Sequence, residues 1–129
     1  MVNKSIFQRL LFIFIGVSGA FSVLFGAWLA HAGQHLSPDV VEKLQTAQFY
    51  QLTHTLALLA VLFVLKHAWS RVLTITAILL VIGICAFSGS IYIKYLVGWQ
   101  TVGKLAPYGG MSMALAWLSL IFYAKRKQE

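Results

Sequence analysis

Four long stretches without any Asp, Glu, Lys or Arg constrain this chain more than any other feature. They span residues 10–38, 44–65, 72–93 and 105–124. A helix needs about 20 residues to cross the hydrocarbon core of a bilayer, and each stretch is that long. Backbone groups in lipid must find partners inside the protein, and these stretches are too long and too irregular for barrel strands. The pattern therefore predicts four transmembrane helices.

Composition supports the membrane class. The chain has 129 residues, of which 60% are hydrophobic and 10% are charged, whereas a soluble domain is about 25% charged. A chain of this size has too little interior to bury so much apolar surface. We predict an all-α polytopic membrane protein, a single integral domain over residues 1–129 with four helices in an antiparallel bundle. The predicted spans are about 10–30, 48–65, 72–93 and 106–123.

The first apolar run also has features of a cleaved signal peptide. Basic residues precede it, and Ala30-His31-Ala32 resembles a small-residue cleavage site. The run from Leu10 to Leu29 is longer than the 7–15 residues of a typical signal core. We therefore expect it to be retained as a membrane span.

The distribution of Lys and Arg predicts the orientation, because cytoplasmic loops are enriched in these residues. Seven fall on one side of the predicted membrane, and three fall on the other. The seven are Lys4, Arg9, Lys66, Arg71, Lys125, Arg126 and Lys127, and the three are Lys43, Lys94 and Lys104. We predict cytoplasmic termini and a multi-pass protein of the bacterial inner membrane. The net charge of +7 reflects these topology signals, so we expect no nucleic-acid partner.

The first external connection carries a helix-start signal. Ser37-Pro38-Asp39 provides an N-cap hydroxyl, a proline at the first helical position and an acid in the first turn. An apolar face follows. Residues 37–47 form either a short interfacial helix or an outward extension of the second span, and the sequence leaves both open.

Small residues mark the surfaces where helices are expected to pack. Lipid removes the hydrophobic drive between helices, so close approach at small residues matters more. The predicted packing glycines, drawn from the first, third and fourth spans, are Gly19, Gly26, Gly83, Gly109 and Gly110. The same faces would serve self-association or a membrane-protein partner, so a homo-oligomer stays open.

Polar residues are expected to collect in the external third of the bundle. Tyr50 and Gln51 lie four and three residues before His54, on one helical face. An intramembrane His marks a candidate site, but it also serves as interhelical glue, and both interpretations stay open. The candidate ligand-binding residues, in a shallow pocket open to the external side, are His54, Gln51, Tyr50, His31, Ser88, Ser90 and Tyr92.

Cofactor and catalytic chemistry have little support. A haem would need a His pair such as His31 and His54, and zinc would need His31, His35 and His54 together. A nucleophilic Ser88 would need His54 as its base. No haem-attachment, phosphate-loop or dinucleotide motif is present. We expect no cofactor, no metal and no catalytic site.

Four ordered segments resemble the YgdD-like family of small bacterial inner-membrane proteins, whose domain has no established function. They are residues 27–32 (AWLAHA), residues 46–58 (TAQFYQLTHTLAL), residues 87–92 (FSGSIY) and residues 106–110 (APYGG) with Trp117 beyond. Trp28-Leu29 and Tyr108 depart from the family pattern and would alter the proposed pocket. The resemblance implies a four-span inner-membrane protein, and implies no activity, substrate or cofactor.

Three functions remain in order of preference. The first is a non-enzymatic structural or partner-binding role. The second is a binder or carrier of a small molecule or lipid through the polar pocket, and the third is a membrane enzyme that uses His54.

The charge distribution gives a test of orientation. A reporter protein fused after residue 129 should be active if it works in the cytoplasm and inactive if it works in the periplasm. The reason is that seven basic residues lie on the predicted cytoplasmic side and three on the other. Paired fluorescent and periplasmic-phosphatase fusions measure this directly. Phosphatase activity from the C-terminal fusion would contradict the predicted orientation.

Overall fold

The computed structural model describes residues 3–126 of the chain, and they fold into four long helices. The helices are α1 (Lys4–His31), α2 (Pro38–His67), α3 (Arg71–Val97) and α4 (Ala106–Arg126). Each is long and apolar enough to cross a membrane, α4 together with the turns that precede it. No strand occurs in the described part of the chain. The prediction of an all-α, four-span membrane protein is confirmed.

Helix α2 answers the question left open for residues 37–47. Ser37 caps its start, with Oγ accepting the N–H of Val40 at 3.4 Å, and Pro38 is the first helical residue. The helix then runs without interruption to His67. Residues 38–47 are therefore an outward extension of the second span. At 1.5 Å per residue, its 30 residues cover about 45 Å, more than the roughly 30 Å hydrocarbon core.

The C-terminal half of helix α3 contains two π-helical turns. It comprises α-helical Arg71–Ile84, a π turn at Cys85–Gly89, one α-helical turn at Ser90–Tyr92 and a second π turn at Ile93–Val97. Gly98 ends it with φ at +88°, a left-handed conformation that glycine adopts without strain. Its N–H donates to the carbonyl of Ile93 at 3.2 Å. A 3₁₀ segment, Gln100–Leu105, then leads into α4.

The helices pack in chain order, each antiparallel to the one before it. Extended contacts join α1 to α2, α2 to α3, and α3 to α4, while α1 and α4 form no extended contact within residues 3–126. Helices α2 and α3 consequently bury a larger share of their residues than the two outer helices do. The bundle is thus centred on the α2–α3 pair.

Two apolar clusters fill the interior. One lies in the half that contains the described ends of the chain, where Leu58, Leu62 and Leu65 of α2 meet α1, α3 and α4. The other lies in the opposite half, around Phe25 and Leu44. Polar side chains occupy the level between the two clusters.

The closest backbone approach joins α3 and α4. A Cβ atom added at Gly109 would overlap the backbone nitrogen of Phe87 and lie 2.8 Å from its Cα. One added at Gly83 would overlap Met113 and lie 3.1 Å from the carbonyl oxygen of Gly109. Both glycines therefore pack as predicted.

The other predicted packing glycines differ from one another. At Gly26 the side chain of Gln48 fills the space that a Cβ would need, so this glycine also permits close packing. No helix of the described bundle packs against Gly19, because an added Cβ would meet nothing within 4 Å. Gly110 has only an ordinary contact, at 3.8 Å from the ring of Phe87. On α1 the buried stripe passes through Ser18, and Gly19 is turned about 100° away from it.

Antiparallel packing brings most of the basic residues to one end of the bundle. The described members are Lys4, Arg9, Lys66, Arg71 and Lys125, and all are exposed. The side chain of Arg126 and all of Lys127 lie outside what the structure describes. Asp39 and Glu42 lie at the other end, in the first turns of α2.

The glycine contacts predict a difference between two otherwise similar substitutions. Gly109→Ala should lower the free energy of unfolding by about 1–3 kcal/mol, because the methyl group has no room against Phe87. Gly19→Ala should change it by less than about 0.5 kcal/mol, because its methyl group meets open space. Thermal unfolding in detergent measures both, and equal losses would contradict the assigned α3–α4 contact.

Candidate functional site

Gln51 lies at the centre of the polar layer and bonds to both neighbouring helices. Its Nε2 donates to Ser18 on α1, at 3.1 Å to Oγ and 3.3 Å to the carbonyl oxygen. Its Oε1 accepts the hydroxyl of Tyr92 on α3 at 2.7 Å. Only 6% of Gln51 is exposed. One amide thus links three helices.

A closed circuit of hydrogen bonds joins α1 to α2. The hydroxyl of Thr55 donates to the backbone carbonyl of Gln51 at 2.6 Å. Since that proton is used, the 2.8 Å contact between the hydroxyls of Ser18 and Thr55 has Ser18 as donor. Ser18 in turn accepts from the Gln51 amide. Each hydroxyl donates once and accepts once, an arrangement in which the bonds strengthen one another.

Gln48 extends this contact by one helical turn toward the N-terminus of α2. Its Nε2 donates to the carbonyl of Ser22 at 2.7 Å, and its side chain crosses Gly26 to reach it. The hydroxyl of Ser22 donates to the carbonyl of Ser18 within α1 at 2.8 Å. The α1–α2 interface is therefore held by side chains from two successive turns.

His54 has a partner for each ring nitrogen. Nδ1 lies 2.7 Å from the carbonyl oxygen of Tyr50, and Nε2 lies 3.1 Å from the indole nitrogen of Trp117 on α4. A carbonyl only accepts and an indole N–H only donates. The ring is therefore the neutral tautomer with its proton on Nδ1, and it connects α2 to α4.

Two serines of α3 lie in or directly after its first π turn. Ser88, within the first π turn, donates to the carbonyl of Ala47 on α2 at 2.7 Å. Ser90 donates to the carbonyl of Phe87 in its own helix at 2.9 Å. Both are almost fully buried. Ser88 therefore links α3 to α2, whereas Ser90 forms its hydrogen bond within its own helix.

The remaining candidates contribute less to the layer. Tyr50 is partly exposed, and its ring contacts Phe87 at a centroid distance of 4.8 Å. His31 is exposed at the end of α1. It lies 13 residues, or about 20 Å, beyond Ser18 along that helix, so the structure does not bring it to His54. The inclusion of His31 in one pocket with the others is wrong.

The polar layer lies between the two apolar clusters, and its members stand at different distances from the charged residues of their own helices. His54 is eleven residues from Lys43 and twelve from Lys66, whereas Ser88 is seventeen from Arg71 and six from Lys94. The placement of the layer in the external third of the bundle stays a prediction.

A cavity of about 230 Å³ adjoins the layer between α1 and α3. Gln51, Ser88 and Tyr92 contribute to its wall together with apolar residues of α1, but His54 does not. Its lining residues come from the middle of the helices, and Val17 and Phe21 at its rim are exposed. This cavity therefore opens sideways toward lipid, whereas the predicted pocket opens to the external side.

The two departures from the family pattern lie away from this cavity. Trp28 stacks on Phe25 at a centroid distance of 5.6 Å, and Tyr108 is exposed. Neither residue lines the cavity. Trp28 and Tyr108 therefore do not shape this cavity.

The geometry also bears on the alternative chemistries. Within residues 3–126, no group of three or more His, Cys, Asp or Glu side chains is placed to hold a metal ion. The separation of His31 from His54 leaves no facing pair of axial ligands. Ser88 donates to Ala47 rather than to His54, whose nitrogens are both used.

Sequence reasoning did not identify three partners in the layer. Ser18 and Thr55 are not among the predicted candidate residues, and Trp117 entered only through the family resemblance. The signal for Ser18 and Ser22 was a four-residue spacing on one face of α1. Another hydrogen bond, between Thr76 and Ser119 at 2.5 Å, joins α3 and α4 in the inner half, where only apolar contact was expected.

Comparison with known proteins agrees with this architecture. A family model described as "Protein of unknown function (DUF423)" matches residues 25–110. A UPF0382 membrane protein of Haemophilus influenzae is 34% identical over 110 residues, covering 84% of this chain and 87% of that protein. The UPF0382 inner membrane protein YgdD of Escherichia coli K12 is 29% identical over 120 residues, 92% of each chain. No solved structure matches significantly.

The hydrogen bonds of Gln51 predict a test by substitution. Gln51→Leu should lower the free energy of unfolding by about 2 kcal/mol, since bonds to two helices are lost and the Tyr92 hydroxyl is left without its acceptor. Gln45→Leu is the matched control, because Gln45 is exposed on the same helix. Thermal unfolding in detergent measures each.

The same measurement separates the Gln51–Tyr92 bond from general packing. Tyr92→Phe should destabilise the wild-type protein but add little in the Gln51→Leu background, because the acceptor is already absent. Additive effects would contradict a direct bond between these side chains.

Proposed function

The chain belongs to the DUF423 family and is related to the UPF0382 membrane proteins, and from this premise we infer that it is a non-enzymatic, structural or partner-binding protein. YgdD is named an inner membrane protein, and we assign this chain to the bacterial inner membrane on that likeness. In this proposal the polar residues hold the helices in one arrangement, and the lipid-facing surfaces of α1 and α4 receive a membrane-protein partner or a second copy.

Complete hydrogen-bond pairing carries the proposal. Every buried side-chain nitrogen and oxygen atom in the described part of the chain has a hydrogen-bond partner. A site that binds a polar substrate usually keeps donors or acceptors directed at it. Here Gln51 uses both ends of its amide, and His54 uses both ring nitrogens. Such a layer is suited to helix adhesion.

A second candidate function rests on the cavity between α1 and α3. Its opening toward lipid and its apolar rim favour an apolar chain as ligand over a polar metabolite. The hydroxyl of Tyr92 and the amide of Gln51 are already bonded to each other, so they offer little to a polar ligand. This candidate is therefore a lipid binder.

The decisive experiment compares two substitutions of His54. His54→Gln keeps an oxygen that can accept the Trp117 N–H but removes imidazole chemistry, whereas His54→Ala removes both. We expect His54→Gln to retain most of the wild-type thermal stability and His54→Ala to lose about 1–2 kcal/mol. Native mass spectrometry of protein extracted from its own membrane then identifies what each form retains.

The retained species distinguish the proposals. The structural proposal expects a discrete protein complex, with a second copy or another membrane protein, that survives in His54→Gln. A small molecule held by the wild type and lost from both variants, with stability intact in His54→Gln, would contradict it. A lipid retained by all three forms, with no protein partner, would favour the second candidate.

A further inference from the structure

The end of the bundle with the excess of basic residues has a groove that the proposed function does not use. In the described part of the chain this end carries exposed Lys and Arg side chains and no carboxylate. Its members are Lys4, Arg9, Lys66, Arg71 and Lys125. Asp39 and Glu42 are at the opposite end of α2. We call this surface the basic end.

The cations of the basic end differ in their surroundings. Lys4 Nζ lies 5.2 Å from the ring centre of Trp69, and Lys66 Nζ lies 5.3 Å from that of Phe12. These two charges are directed at aromatic faces. Arg9, Arg71 and Lys125 contact neither a ring nor a carboxylate among the described residues, so their charges are available to a ligand.

A lipid-facing groove between α3 and α4 has Lys125 in its wall, and another of its lining residues, Val72, follows Arg71 in sequence. It has a volume of about 560 Å³ and is lined by Val72, Ile75, Ser119, Phe122 and Lys125. Ile75 and Phe122 are more than half exposed, so its walls are apolar and open to lipid. The groove extends from Lys125 inward to Ser119, about 9 Å along α4. Arg71 adjoins Val72 at the start of α3.

We propose that this groove binds one anionic phospholipid, with Lys125 and Arg71 at the headgroup phosphate and an acyl chain against Val72, Ile75 and Phe122. The proposal is independent of the role assigned to the polar layer.

Charge and position select this occupant. A phosphate oxygen accepts hydrogen bonds from ammonium and guanidinium groups, and charge-assisted bonds are the stronger ones. Basic pockets between transmembrane helices bind anionic headgroups. The apolar walls below the two cations fit a chain that enters the hydrocarbon region. A zwitterionic lipid also has a phosphate, but its own cation would be repelled by the basic end.

Basic residues that only determine the orientation of the protein in the membrane need no groove beside them. The groove therefore indicates a second role for the basic residues at this end. Seven basic residues determine orientation by their number, and no apolar cleft is required for that. The proposal therefore predicts an effect that depends on the position of the charge, which orientation does not.

The test uses the purified full-length chain in detergent. Phosphatidylglycerol and phosphatidylcholine are titrated separately, and one-to-one complexes are quantified by native mass spectrometry. The variant Arg71→Gln/Lys125→Gln is compared with Lys43→Gln/Lys104→Gln, which removes the same charge from the opposite end. We expect the first to weaken phosphatidylglycerol binding about 20- to 30-fold, and the second about twofold or less.

Additional measurements distinguish the loss of a specific lipid site from unfolding of the protein and from nonspecific electrostatic attraction. Phe122→Ala, which removes an exposed wall of the groove, should weaken the same complex while leaving thermal stability in lipid-free detergent unchanged. Wild-type protein that binds the two lipids equally would overturn the proposal. It would also be overturned if both double variants lost phosphatidylglycerol to the same extent, since that result is expected of net charge alone.

Discussion

The packing of this protein depends on one constraint: a polar side chain in the middle of a membrane helix must find its partners on other helices. Gln51 meets that constraint on both sides at once, because its amide donates to Ser18 on α1 and accepts from Tyr92 on α3. Individual interhelical hydrogen bonds contribute only about 0.6 kcal/mol on average. Their larger effect is to favour one arrangement of the helices over others. A rotated or shifted helix would leave a buried amide unpaired, at a cost of about 1–3 kcal/mol.

Helix α4 is attached both by close packing and by hydrogen bonds. Its backbone approaches α3 closely at Gly83 and Gly109. Dispersion contacts contribute to the adhesion there, because lipid offers no hydrophobic drive between helices. Two side-chain hydrogen bonds also join these helices, from Ser112 to the carbonyl of Leu79 and between Thr76 and Ser119. His54 and Trp117 add one polar link from α2 to α4.

The sequence predicted the helices better than it predicted their packing faces. Charge-free stretches and the Ser37 cap identified four spans and a helix start, because lipid and backbone chemistry act locally. Residues 38–47 carry charges, so their sequence left open whether they extend the second span, and α2 does continue through them. Gly19 and Gly26 share a seven-residue spacing, yet only Gly26 has a side chain lying across it. That difference comes from Gln48 on another helix, which no single-helix pattern contains.

The paired layer also changes what an intramembrane histidine implies here. A histidine in a membrane span marks a functional site by default, and that inference is strongest when a ring nitrogen is free. In this bundle Nδ1 is committed to Tyr50 and Nε2 to Trp117, so His54 reaches a substrate only if α4 gives up its polar link to α2. Leucine at this position would leave the indole N–H of Trp117 without its acceptor. A neutral imidazole therefore has a structural reason to be where it is.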